Sequence, residues 1–203
     1  MKTIQKIISL SEKPQITKDH FTEDTFFFDI ETTGFSPKKT SLYMIGYAVR
    51  EKENARIIQL LADDPSEEEL LLKTFLENIS GLSRMISFNG SGFDLPYLRE
   101  KLSVYAFSDP FPGIEELDIF SSIRSYRQFL SLPNMKQKTV EDFLGLTRED
   151  TYSGGDLIPV YRHYAATHDD LPKKLLLLHN YEDVQGMIDA VPMLSYPAFF
   201  KGN

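Results

Sequence analysis

The hydrophobic positions of the chain change rhythm near residue 66. Before it they come in short unbroken runs. Phe26-Phe27-Phe28 and Ile30 make an apolar stretch of strand length, which predicts a fully buried strand over residues 25–30. Residues 42–50 and 55–61 read as two more strands, joined by the polar turn Glu51-Lys52-Glu53-Asn54, so the three form an antiparallel meander. After residue 66 the spacing turns helical. Leu72, Phe75, Leu76 and Ile79 share one face of a helix over residues 66–80, with Ser66 and Glu69 as its capping box and Gly81 as its stop. A fourth strand is expected over residues 84–88, a short helix over 95–102, and a fifth strand near 117–120 leading into a helix through Leu130. Short helices follow over 139–144 and 157–166. A long last helix starts at an Asp170 cap, carries Pro172 in its first turn and runs to about Ala190. This order predicts a mixed α/β sheet with helices on its faces. Residues 1–24 show no clear period and read as an N-terminal extension, residues 25–195 as the domain, and residues 196–203 as a C-terminal tail.

Composition narrows the class. At 41% hydrophobic and 12% aromatic over 203 residues, one domain can bury a sizeable core. There is no cysteine, which excludes disulfides, zinc–thiolate sites and thiol nucleophiles and suits a reducing, cytoplasmic setting. The first fourteen residues lack the apolar core of a secretory signal, and no apolar run is long enough to span a bilayer. A formal charge of −8 argues against a general nucleic-acid coat protein. It leaves a nuclease open, provided local cations hold phosphates. Lys38, Lys39, Arg124, Arg127, Lys136, Lys138 and Arg148 are the candidates.

Three short motifs carry the chemistry. Asp29-Ile30-Glu31-Thr32-Thr33-Gly34 closes the first strand. Residues two apart on a strand point the same way, so Asp29 and Glu31 project together. Two such carboxylates repel unless a cation lies between them, and hard oxygen donors favour Mg²⁺ or Mn²⁺. Asn89-Gly90-Ser91-Gly92-Phe93-Asp94 follows the fourth strand, its two glycines permitting close backbone approach to a ligand. His179 and Asp183 stand four apart on the last helix, one turn apart on one face, with Gly186 beside them to leave room for a ligand. Each motif alone has a plainer reading: a solvated strand end, a helix N-cap at Asp94, a helix-stabilising His–Asp pair.

Taken together the motifs resemble the DEDD superfamily of 3′→5′ exonucleases, which have the ribonuclease H-like fold. The first matches the pattern D-x-E-T-T-G, the second N-x-x-x-F-D, and the third supplies the last Asp. Within that superfamily the chain is most similar to the YprB-like nucleases, through Lys138-Thr139-Val140-Glu141, Phe143-Leu144-Gly145, Arg148 and His179-Asn180-x-x-Asp183. The likeness spans roughly residues 25–192. One departure stands out. The superfamily has Tyr four residues before the final Asp or His five before it; here His179 takes the four-residue slot and Leu178 the other.

The resemblance implies a mixed five-stranded sheet, three antiparallel strands followed by parallel ones, flanked by helices. It implies two divalent cations, Mg²⁺ or Mn²⁺, with Asp29 bridging them, Glu31 and Asp183 on the nucleophile side and Asp94 on the other. His179 is then the residue that orients or deprotonates the attacking water. Thr32, Thr33, Asn89 and Lys138 are implied substrate contacts. Phe35 stands where an apolar wedge meets the terminal base, or is a simple loop residue. The implied substrate is a 3′ end of single-stranded DNA or RNA, released as nucleoside 5′-monophosphates. A catalytically weak nucleic-acid-binding module and an endonuclease or other phosphodiesterase with the same ligands are the alternatives. Phe199 and Phe200 mark the tail as a docking segment for this chain or a protein partner.

Overall fold

A computed structural model describes residues 1–196. Its centre is a six-stranded sheet in the order β1-β4-β3-β2-β5-β6. The meander is β2 (Thr25–Thr32), β3 (Leu42–Glu51) and β4 (Asn54–Leu61), each antiparallel to the next. On the other side of β2, β5 (Arg84–Ser87) and then β6 (Glu115–Asp118) run parallel. The expected five strands are therefore joined by a sixth, β1 (Lys2–Ser9), antiparallel to β4 at the sheet edge. Its side chains are exposed or half-buried throughout. An edge strand carrying Lys2 and Lys6 needs no apolar period, and its charges discourage further pairing.

Helices cover both faces. The alternation of β2 sends Phe26, Phe28 and Ile30 into a core shared with α2 (Glu68–Ile79) and α3 (Asp94–Val104). Phe27 goes to the opposite face, where Val184, Met187 and Ile188 of α7 (Asp170–Ala190) pack. Each fully buried Phe contributes roughly 1.5–3 kcal/mol. The remaining helices are α1 (Gln15–His20), α4 (Ile119–Ile123), α5 (Gln137–Phe143) and α6 (Gly154–Thr167). Tyr161 and Tyr164 of α6 are buried beside Leu176 of α7.

Helix starts differ from the sequence reading. Ser66 is no cap: Asp64 accepts from the Ser66 N–H at 2.8 Å, and a 3₁₀ turn precedes α2. At α6 the capping box is Ser153 with Asp156, so the helix begins three residues before Leu157. Asp170 is the first residue of α7, with Asp169 before it and no side-chain cap bond. The helix expected through Leu130 is instead α4 followed by a 3₁₀ turn at Arg124–Tyr126. No described helix is long and apolar enough to cross a membrane. Phe199 and Phe200 lie outside the described residues.

Candidate active site

Asp29 and Glu31 sit at the end of β2 on the face that α7 crosses. Asn180 of α7 donates Nδ2 to Asp29 Oδ2 at 2.9 Å, and Gln59 Nε2 donates to Asn180 Oδ1 at 3.0 Å. Gly46 pairs with Asp29 across the β2–β3 ladder. A Cβ there would lie 2.1 Å from Asn180 Oδ1, so only glycine lets α7 come this close. The ladder slips one register between Glu31 and Thr32, and Glu31 is buried.

The second motif is held by an acid that sequence reading overlooked. Asp118, at the end of β6, accepts the Asn89 N–H at 2.8 Å and Ser91 Oγ at 3.3 Å. Asn89 is in the left-handed region at φ +62°, a conformation asparagine tolerates better than most residues. The turn delivers Asp94 to the start of α3, where it makes no cap bond. Its Oδ1 instead accepts the N–H of Ile30 at 3.3 Å, between Asp29 and Glu31 in sequence.

The third motif converges on the first. His179 Nε2 lies 3.4 Å from Glu31 Oε1 and 3.2 Å from Asp183 Oδ2. Its Nδ1 lies 2.6 Å from Asp150 Oδ2. Asp183 divides its oxygens: Oδ1 accepts Arg148 Nη1 at 2.6 Å, while Oδ2 faces His179. Arg148 also bonds the buried Glu141, 3.0 Å from its Oε2. Gly186 makes room for that glutamate rather than for a ligand, since a Cβ there would lie 1.9 Å from Glu141 Oε1.

The electrostatics follow from crowding. Burial and then the charges of Asp183, Glu31 and Asp94 push the Asp29 carboxyl well above the ordinary range, with Asn180 pulling the other way. Burial, Asp183, Asp94 and Asp150 do the same to Glu31. Asp94 is pushed up to about 7, mainly by burial, against the lowering effect of the Ile30 N–H. Among the described residues, ligand atoms of Glu31, His179 and Asp183 lie within 4.8 Å of one another. Carboxylate oxygens that are desolvated and mutually repelling, with an imidazole beside them, fit a divalent cation.

Two clefts open on either side of Asp29 and Asp183. One, of about 350 Å³, is lined by Thr32, Phe35, Phe93, Gly154 and His179 as well as these two acids. The other, of about 430 Å³, adds Phe88, Asn89, Phe120 and Lys136. Phe35 is 89% exposed and packs edge-on against Phe93 at 5.9 Å. The expected substrate contacts thus divide. Thr32, Phe35 and Asn89 line a cleft, whereas Thr33 lies outside both, its hydroxyl taking the Ser41 N–H at 2.8 Å. Lys138 lies in neither, because its ammonium binds Asp150 Oδ2 at 2.8 Å and the Tyr152 carbonyl. Arg148 is turned inward as well. Asp118 and Asp150 have no local sequence signal for these roles, since the groups they hold here, Asn89 and His179, are each 29 residues away. Glu141, part of the pattern behind the resemblance, serves to hold Arg148.

A family model described as the RNase_H superfamily matches residues 26–191. No curated protein matches the sequence significantly. Among solved structures, the family B DNA polymerase of Pyrobaculum calidifontis is similar over 84% of this chain and 24% of its own, at 16% identity and TM-score 0.64. E. coli exonuclease I in complex with a dT13 oligonucleotide is similar over 87% of this chain and 42% of its own, at 15% identity and TM-score 0.56. A zinc-bound exonuclease I–ssDNA complex from the same organism gives 14% identity and TM-score 0.54 over the same shares. The chain spans less than half the length of each of these proteins.

Proposed function

The chain belongs to the RNase H superfamily, and from that premise we propose that it is a metal-dependent 3′→5′ exonuclease of the DEDD type, acting on single-stranded DNA or RNA. Within that type its motifs resemble those of the YprB-like nucleases. The observation that carries the reading is the convergence of β2, the start of α3 and α7: Glu31, His179 and Asp183 meet within 4.8 Å, and Asp29 and Asp94 are held beside them.

Asp29, Glu31, Asp94 and Asp183 would hold two divalent cations, Mg²⁺ or Mn²⁺. Such ions supply an activated water and stabilise the leaving oxygen. The chain's own residues do the rest. His179 takes the proton of the attacking water. Asp183 offers one oxygen to the site because Arg148 occupies the other. Phe35, exposed at the mouth of the cleft and braced by Phe93, stacks on the terminal base without regard to sequence. Thr32 and Asn89 contact the strand from the two clefts. The product is a nucleoside 5′-monophosphate.

Oligonucleotides labelled at either end test this reading. With Mn²⁺, a 3′ label should appear at once as mononucleotide, while a 5′-labelled strand shortens one residue at a time. Chelator or Asp29→Ala should stop both. Internal fragments as first products would make the enzyme an endonuclease, and no turnover on DNA or RNA would reduce it to a binding module.

A further inference from the structure

His179 is addressed from two sides: Glu31 and Asp183 face its Nε2, and Asp150 faces its Nδ1. The segment after Arg148 is strapped to α7. Glu182 accepts the N–H groups of Glu149 and Asp150, each at 2.9 Å. This strap carries a buried carboxylate, Asp150, to the far side of the imidazole. Its Oδ1 takes the Tyr152 N–H at 3.0 Å. Its Oδ2 takes Lys138 Nζ at 2.8 Å and lies 2.6 Å from His179 Nδ1. Burial works against the charge of Asp150, yet Lys138, the Tyr152 N–H and His179 together hold its carboxyl below the ordinary range.

We propose that Asp150 is the positioning residue of the site: it holds the proton on His179 Nδ1 and so presents Nε2 as the proton acceptor toward Glu31 and Asp183. The inference rests on the hydrolytic reading of the site and adds a residue to it. An ionised carboxylate only accepts hydrogen bonds, so the 2.6 Å contact makes Nδ1 the donor. In a neutral imidazole a proton on Nδ1 leaves a lone pair on Nε2. Without Asp150 the two carboxylates facing Nε2 at 3.4 and 3.2 Å would hold the proton on that side. The ring would then point a donor at the place where an acceptor is needed. The same contact fixes the ring's rotation, which the helix backbone leaves free.

The proton balance is simple. The attacking water gives its proton to Nε2, and its oxygen forms the new bond to phosphorus. The bond from phosphorus to the 3′ oxygen of the next residue breaks with its electron pair, and that oxygen takes a proton from solvent to leave as a hydroxyl. The imidazolium formed is stabilised by the charge of Asp150 and returns its proton to solvent.

Side-chain ¹⁵N NMR of His179 in the Mg²⁺-saturated protein tests this without turnover. The wild type should show a protonated Nδ1 and an unprotonated Nε2. Asp150→Ala should move the proton to Nε2, lower kcat by about 10²–10⁴-fold, the range for lost acid–base help, and leave KM within about threefold. The reverse tautomer in the wild type would overturn the proposal, and this measurement needs no variant to fold. So would an Asp150→Ala protein with unchanged kcat, or one in which tautomer and kcat/KM ratio stay as in wild type. If the tautomer is as stated but the wild type hydrolyses nothing, the hydrolytic reading fails while the assignment of the proton stands.

Discussion

Asn180 Nδ2 lies 2.9 Å from Asp29 Oδ2, a single hydrogen bond joining the last helix to the central strand. The bond both places that carboxylate and offsets part of the repulsion around it. At a pH where Asp29 is ionised, Asn180→Ala should therefore cost about 1.5–3 kcal/mol, as expected for a bond to a charged group. Urea denaturation of the metal-free protein measures this, and the Mn²⁺ affinity should weaken alongside. A variant as stable as wild type with unchanged affinity would make the bond incidental.

Gly46→Ala reaches the same pair from below. The added Cβ would lie 2.1 Å from Asn180 Oδ1, and overpacking of that kind costs about 1–3 kcal/mol. Because both substitutions disturb one contact, the double variant should lose less stability than the two single losses added. Strict additivity in denaturation would separate the two positions.

The raised carboxyls set a pH dependence. Asp29, Glu31 and Asp94 have folded-state pKa values above their unfolded ones. Their contribution to stability is thus fully present below about pH 4 and is lost as pH rises, for Asp94 through about 7. Other groups fix the full curve, yet the Asp94→Asn variant should lose part of the decline seen in metal-free wild type between pH 5 and pH 8. Divalent cations bind the ionised forms, so Mg²⁺ should raise the melting temperature more at pH 8 than at pH 5. Thermal melts at both values, with chelator and with Mg²⁺, read the sign directly.

Arg148 is a cation set among these acids on the α7 side, bonded to Glu141 and Asp183. Arg148→Met removes it and leaves Glu141 buried without its partner, which costs about 3–5 kcal/mol. The shift in the denaturation midpoint checks it. The variant Arg148→Met with Glu141→Gln should recover part of that loss.

The acids at the end of β2 were legible because a strand's two-residue period puts Asp29 and Glu31 on one face and Phe28 and Ile30 on the other. His179 and Asp183 were legible because a helix puts i and i+4 together. The sixth strand was not: β1 is an edge strand with no buried face, so it leaves no period to read. Asp150 was hidden for a different reason. Its meaning comes from a strap clamped by Glu182 and from a histidine 29 residues away, and neither contact leaves a local pattern. Lys138 shows the limit of reading a basic residue as a phosphate contact, since a buried carboxylate nearby claims its charge. The same holds for Arg148, and Gly186 looked like room for a ligand where it is room for Glu141.

The measurement closest to the central claim is anomalous scattering from crystals soaked in Mn²⁺. The account predicts two peaks about 3.5–4 Å apart, contacted by oxygens of Asp29, Glu31, Asp94 and Asp183, with Arg148 still on the other Asp183 oxygen. Crystals saturated with Mn²⁺ that show no peak among these four carboxylates would contradict it.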